Sequence, residues 1–545
     1  MSRVIFNNQP AAPQFNPGRA DIACFAGLVR LLPGAAVSAS MASWLNSLGY
    51  ANSQIATVTN IPVVVESYLE FTSIFDDGSA GTGYGTDYVA AAVRSYFAQG
   101  GRLCYVVRVG DPVVPIHTPR QMSDTPPDTP QQIAAKLQAL LPNSSYAPDS
   151  AQSWTGVGSL GVLEDVSLLA TPDLPILCAS AQAGATGQLP AQSSGPEEFV
   201  VCSQGDITPR QYRSFPSPAP RLKSADYASW AASVATILNY LASGSITHQP
   251  HLREIQFIAA FPLPQDLNPA TAAEDPSSAE IAQDIHDVIA AQMREIPPPQ
   301  NMVVAGNISS SFLQLAYPWL KTSGSGALLE SLEPPDGVLA GLIARTALTR
   351  GAFTSATKTM PAEVYDVSPA LPAQEMQSSA QPLVWDPDAP TAQPKALIER
   401  LSLFGFTPSG LQLLSDVTAY PGESYRSGAV TRLVAVICRA ARRMGESAVF
   451  QTNGPALWGR VQRFLQNLLT RLWTLNALAG ASVSQAFSVR CDRTTMTQND
   501  LDNGRMIAQV TFTAAATVET ISITLAMETS GTSVQQITGD LAEVS

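Results

Sequence analysis

Two glycine-rich runs are the places where this sequence could cradle a phosphate. GVGSLG sets Gly156, Gly158 and Gly161 in the G-x-G-x-x-G spacing, and GTGYG occupies 81–85. A dinucleotide fingerprint needs an apolar strand before the first glycine and an acid about 20 residues on. The residues before Gly156 are APDSAQSWT, which make no strand, and the next acid in range, Asp173, follows a proline. The run is therefore expected to be a turn opening the middle of the chain. GTGYG has no Gly-Lys-Ser/Thr, and no Gly-Lys dipeptide occurs anywhere, which removes the P-loop. Other chemistries fare no better. His117, His248, His251 and His286 are the four histidines. His248 and His251 share a neighbourhood without cysteine or an HExxH context, so they are expected at the surface before a strand. There is no G-x-S-x-G elbow. Asp76 and Asp77 lack the alternating oxygens and closing Glu of a calcium loop. Six cysteines (Cys24, Cys104, Cys178, Cys202, Cys438, Cys491) lie far apart and read as small buried hydrophobes in a reducing compartment. No catalytic residue, cofactor or metal site is expected.

The informative charge pattern is basic. Between 424 and 490 stand nine arginines (426, 432, 439, 442, 443, 460, 463, 471, 490), no lysine and one acid, Glu446, in a chain of net charge −13. In ALWGRVQRFLQNLLTRLWTLNALA, Leu457, Val461, Phe464, Leu465, Leu468, Leu472 and Leu475 follow the spacing of one apolar helix face. Arg460, Arg463, Asn467, Arg471 and Thr474 fall opposite. Two readings stay open: a solvated face paired with acids from elsewhere in the fold, or a contact surface for an acidic partner, to which Arg's planar fork is suited.

Those residues must be positioned by a large, weakly charged chain. Its 545 residues allow two to four domains. Charged residues make up 14%, against roughly 25% in an average soluble domain. Such a chain is expected to hide surface against copies of itself. The acidic balance argues against nucleic acid. No apolar run approaches the roughly 18 residues of a membrane span, and no secretory signal is evident, so no direct membrane insertion is expected. Residues 1–20 read as an extended arm, 21–32 as an ordered apolar element and 61–71 as a β-rich run. A helix over YVAAAVRSYFA ends on Gly100 and Gly101, and LCYVVRV (103–109) follows as a buried strand. Further helices are expected at 130–141, 226–243, 278–293, 427–444 and 456–479. Strands are expected at IQFIAAFP, NMVVAGN, IAQVTFTA and ISITLAME, and 529–545 is polar.

The helix ending in Phe-x-x-Gly-Gly, followed by an apolar strand ending in Arg-Val, resembles the early segment of contractile-tail sheath proteins. IACFAGLVRLLPG and IPVVVESYLEFTSIF look like that family's opening. LEPPDGVLAGLIARTALTRGAF (332–353) is similar to its Pro-Pro-x-Gly-x-x-Ala-Gly segment. Asn453, the Trp458 helix, LWTLNALAG, AFSVRCDRTTMTQNDLDNGRMIAQVTF and a last apolar strand keep the family's order. The resemblance spans about 21–110 and 330–527. AAATVETISI (514–523) departs from the Pro-Ala-Glu-Phe-like run usual before the last strand.

The resemblance implies a multidomain α/β (α+β) protein with a core built from both chain ends. The expected parts are an N-terminal arm (1–20), a first core part (21–110), a Pro-rich connector (111–150), an inserted outer domain (151–394), a second core part with a terminal strand arm (395–528) and a polar tail (529–545). It further implies a structural subunit that stacks as hexameric rings around an inner tube and contracts on energy stored in the lattice. Its partners would be copies of itself, the inner tube protein, and baseplate and terminator or cap proteins. Strand exchange would use Val4, Ile5 and Phe6 at one end and Ile521, Ile523 and Leu525 at the other. Arg460, Arg463 and Arg471 would face the tube. Assembly in a bacterial cytoplasm, as part of a phage tail or an extracellular injection particle, follows, and FNPGRADIACFAG looks more like the second. The rival class is a nucleotide-dependent enzyme using the two glycine-rich loops.

Overall fold

ACFAGL has no polar side chain, and the strand it forms, β1 (Ala23–Leu28), is buried along its whole length. Such a run fits a strand covered on both faces, as in a parallel sheet. The structure, a computed structural model, describes residues 19–78, 83–115, 126–143, 145–179, 219–243, 249–264, 308–377, 396–420, 422, 424–447, 451–515, 520–528 and 531–538. Within it β1 is central to an eight-stranded sheet with β2 (Pro62–Val65), β3 (Cys104–Gly110), β4 (Leu168–Ala170), β5 (Gln256–Ala260), β6 (Leu313–Tyr317), β7 (Ser402–Thr407) and β8 (Gly410–Leu413), in the order β8-β7-β6-β5-β4-β1-β3-β2. Six strands run parallel, and β2 and β8 close the two edges antiparallel. This sheet draws strands from 21–110, from 151–394 and from beyond 395.

Helices cover both faces. α1 (Tyr88–Ala98) and α4 (Asp336–Arg350) pack side by side on one, and α2 (Leu174–Cys178) and α3 (Ser224–Ala242) line the other. The α1–α4 contact explains two glycine motifs. A Cβ on Gly337 would stand 2.5 Å from Ala92 Cα, and one on Gly341 2.8 Å from the Tyr96 carbonyl. Gly100, at φ +104, and Gly101, whose Cβ would collide with the Tyr96 ring, let the chain turn from α1 into β3.

A second unit follows. α5 (Gly428–Glu446) and α6 (Pro455–Thr474) pack on an antiparallel sheet, β9 (Phe487–Arg490), β10 (Met506–Thr513), β11 (Thr520–Glu528) and β12 (Gly531–Thr538), in that order. Its apolar cluster, including Leu433, Ile437, Val461, Leu465, Val510 and Ile523, is separate from the two flanking the large sheet.

Several expectations change. The 61–71 run is a strand only to Val65; Ser67 Oγ then accepts from Glu70 N at 3.2 Å and starts a helix, Tyr68–Ile74. Two helices, Ala39–Ser47 and Asn52–Thr57, stand between the apolar element at 21–32 and the 61–71 run, where no element was expected. Gly531–Thr538, in the expected polar tail, is a strand. The helix expected at 278–293, the strand at NMVVAGN and nearly all of 1–20 lie outside the described residues.

Candidate assembly surface and the arginines of the second unit

α6 is built as its sequence suggests. Leu457, Val461, Leu465, Leu469 and Leu472 are buried, and Phe464 and Leu468 are half-buried beside them. Leu475 differs: it sits past the last turn and is 52% exposed. On the outer face Arg460, Arg463, Asn467, Arg471 and Thr474 are all exposed. Arg463 Nε donates to the Gly459 carbonyl at 3.0 Å, and no carboxylate among the described residues pairs with any of the three arginines. The helix start is pinned by Asn453, whose Oδ1 accepts from Trp458 Nε1 at 2.7 Å while its amide reaches the Arg505 carbonyl.

The arginines of α5 behave differently. Val430, Leu433, Val434, Ile437, Cys438 and Ala441 face its own unit, whereas Arg432, Arg439 and Arg442 are buried against the large-sheet unit. Arg432 binds Asp416 through both Nη atoms, at 3.2 and 2.7 Å. Asp416 also accepts from Gln314 Nε2, Ala356 N and Ser355 Oγ. Burial opposes its ionisation, but Arg432 and these donors hold its carboxyl below the usual range. Arg439 and Arg442 converge on Glu254: Arg439 Nε at 3.2 Å from Oε2, Arg442 Nε at 2.8 Å from Oε1. Sequence reasoning missed this joint. The signal was present as arginines at 432, 439 and 442, spaced by about two turns and about one turn so that they share one face of the helix.

The strand-arm residues divide. Val4, Ile5 and Phe6 lie outside the described residues. Ile521, Ile523 and Leu525 are buried in their own unit's core, because β11 lies between β10 and β12 and points its alternate side chains inward. The outer strands of this sheet are β9 and β12.

The glycine-rich runs fit packing. Gly156, at φ +50, backs onto the Leu140 carbonyl in a buried turn, Gly156–Val162, and no strand precedes it. In open α/β sheets, ligands sit beyond the carboxyl ends of the strands where the strand order reverses. Here that point lies between β1 and β4, and Asp173 fills it. Its Oδ2 accepts from Leu28 N at 2.5 Å, and a Cβ on Gly27 would collide with it. Burial pushes the Asp173 carboxyl well above the usual carboxylate range. His251 corrects its surface expectation: it is 6% exposed, with its Nε2 3.1 Å from the Leu160 carbonyl. Cys24, Cys104, Cys178, Cys438 and Cys491 are buried free thiols, while Cys202, His117, His248 and His286 are outside the described residues. Among the described residues no group of three or more His, Cys, Asp or Glu could hold a metal, and no helix is long and apolar enough to cross a membrane.

No family model matches the chain, and no curated protein matches it. Solved structures do. A chain of the anti-feeding prophage baseplate in contracted state overlays with TM-score 0.53 at 17% identity, covering 93% of this chain and 94% of that one. The chain has the fold of that particle subunit. A chain of the same baseplate, six-fold symmetrised, gives TM-score 0.50 at 18% identity over 94% and 95%. A chain of the helical sheath of that prophage in contracted state gives 0.47 at 17% identity over 94% and 96%. At 93% and 94% coverage of this chain, the two baseplate overlays take in residues of both units.

Proposed function

We propose that the chain is the sheath subunit of a contractile injection particle, a structural protein that polymerises as stacked hexameric rings around an inner tube. The observation that carries this is the shared fold over nearly the full length of both chains, together with sheath-like sequence at 21–110 and 330–527. In this reading the second unit forms the lattice and faces the tube, and the large-sheet unit lies outside it. The exposed Arg460–Arg463–Arg471 stripe supports a tube contact, since an acidic tube surface would supply the missing carboxylates. An unpaired strand edge is a template for a neighbour's strand. β12 and β9 are the outer strands available for such exchange, with residues 1–18 as the donor arm. Contraction draws on energy stored in the lattice. Baseplate and terminator proteins cap the polymer, and the particle assembles in a bacterial cytoplasm before release.

The Asp173 side chain filling the switch point counts against the nucleotide-dependent alternative. Sedimentation of the purified chain tests the proposal. A sheath subunit gives a concentration-dependent shift to very large species, whereas a single compact species at every concentration overturns it.

A further inference from the structure

The two units meet through apolar and ionic contacts. Phe353 and Tyr420 of the large-sheet side pack on the second unit's cluster, Ala20, Ala352 and Val436 form a small cluster of their own, and β12 packs on the Pro250–Glu254 turn, while the buried arginines of α5 and their partners supply the ionic part. Arg439 Nη1 donates to Ser167 Oγ at 2.9 Å and to the Arg19 carbonyl at 2.5 Å. Arg442 reaches Glu446 at 2.9 Å and the Glu164 carbonyl at 3.0 Å. A buried ion pair of this kind gives specificity more than stability, and losing one partner leaves a charge uncompensated. Each unit keeps its own hydrophobic cluster, so the Pro250–Glu254 turn can leave α5 without either cluster being taken apart.

His251 stands on the turn Pro250–Glu254 that carries Glu254 into this joint. Arg442 on α5, Glu254 on its own turn and Glu164 on the preceding segment act on it, and α3, which also packs on this turn, carries Asp226, Tyr227 and Tyr240. Tyr146 stands nearby through Gln249, and β12, which also packs there, has no ionisable residue. With Nε2 at a carbonyl, the neutral ring donates from that nitrogen. Charging therefore adds a proton at Nδ1, in a buried place beside Arg442.

We propose that this joint is an acid-opened latch, in which charging of buried His251, on the turn that carries Glu254 to Arg439 and Arg442, unseats the Pro250–Glu254 turn from α5. Burial, and then Arg442, lower the affinity of His251 for a proton. A depressed histidine value means that the closed state prefers the neutral ring. The joint is held above the ordinary histidine value and weakens as pH falls below about 6.5. Asp416, held below its ordinary value by Arg432, loses its contribution only at lower pH, so His251 acts first.

Hydrogen exchange on the full chain tests this, and the test concerns the single chain whether or not it polymerises. Going from about pH 7.5 to about pH 5, protection in 250–256 and 436–446 should fall at least about tenfold beyond the change in intrinsic rate. β1 and β10 should stay protected. His251→Gln, which keeps a donor for the Leu160 carbonyl and cannot charge, should stay closed at about pH 5. Glu254→Gln should open the joint already at about pH 7.5. If Glu254→Gln fails to fold, His251→Gln alone carries the decision. Joint segments exchanging in step with β1 and β10, or His251→Gln opening with the wild-type pH dependence, would overturn the proposal.

Discussion

Replacing Glu333 by Gln should remove a pH dependence built into the large-sheet unit. Glu333 is 1% exposed, and its carboxyl accepts from Ser95 Oγ at 2.5 Å and Thr322 Oγ1 at 2.9 Å. Burial pushes its pKa up to about 8; neighbouring Asp336 adds to this, and the two hydroxyls and Arg94 oppose it. The unfolded chain releases this proton near 4.5 and the folded chain near 8. Between those values the unfolded state binds fewer protons, so stability falls as pH rises and levels off above about 8. A gap of roughly 3.5 units at about 1.4 kcal/mol each sets a ceiling of about 5 kcal/mol. Relaxation around a buried carboxylate reduces it, and roughly 2–4 kcal/mol is expected. A glutamine side chain can accept from one hydroxyl and donate to the other, so the site stays satisfied. The variant should match wild type within about 1 kcal/mol near pH 5 and exceed it by roughly 2–4 kcal/mol near pH 8. Denaturant unfolding across this range, followed by tryptophan fluorescence, measures both. Equal slopes for the two proteins, or a variant weaker than wild type near pH 8, would refute the assignment of that slope to Glu333.

Three further perturbations separate packing from assembly. Gly337→Ala drives a methyl into Ala92 at the α1–α4 contact and should cost roughly 1–3 kcal/mol, read as a lowered melting temperature; an unchanged melt would mean that the helices do not approach so closely. Asp416→Asn strands buried Arg432 and should cost roughly 3–5 kcal/mol, whereas Asp416→Leu with Arg432→Met should restore much of that loss in a double-mutant cycle. Changing Arg460, Arg463 and Arg471 together to Glu should leave the melting temperature within about 1 kcal/mol of wild type in stability terms, because each side chain is exposed. The same variant should no longer co-sediment with an acidic inner tube, and retained binding would show the stripe to be a solvated face.

How far the sequence could be read depended on the range of the interactions. α1, β3, α5, α6, β10 and β11 announced themselves because apolar spacing and glycine caps are local signals, and the structure has them within a few residues of the expected places. Ala39–Ser47 and Asn52–Thr57 were hidden because Ser, Asn and Gln supply no apolar period, and their helices start from caps such as Ser38 Oγ accepting from Met41 N. β12 was hidden because a polar strand is held by main-chain pairing with β11. The pairing of β1 with 104–110 and with 168–170 was not legible either, because parallel neighbours in a sheet leave no local signal of which strand lies beside which. The α6 stripe was legible from a single helix. The α5 joint was not, because Glu254 and Asp416 reach it only through the fold.

Electron microscopy of the purified full chain, beside a form ending before Gly531, tests the central claim most directly. That end point keeps Ile521, Ile523 and Leu525 in the chain, and because β12 also pairs with β11 and packs on α5, the melting temperature of the shortened form is measured beside its assembly. The account expects long, regular tubes with six-fold end views from the full chain, and dispersed folded protomers from the shortened one. Compact particles from the full chain at every concentration would contradict the sheath reading, and regular tubes from the shortened chain would contradict the role given to β12.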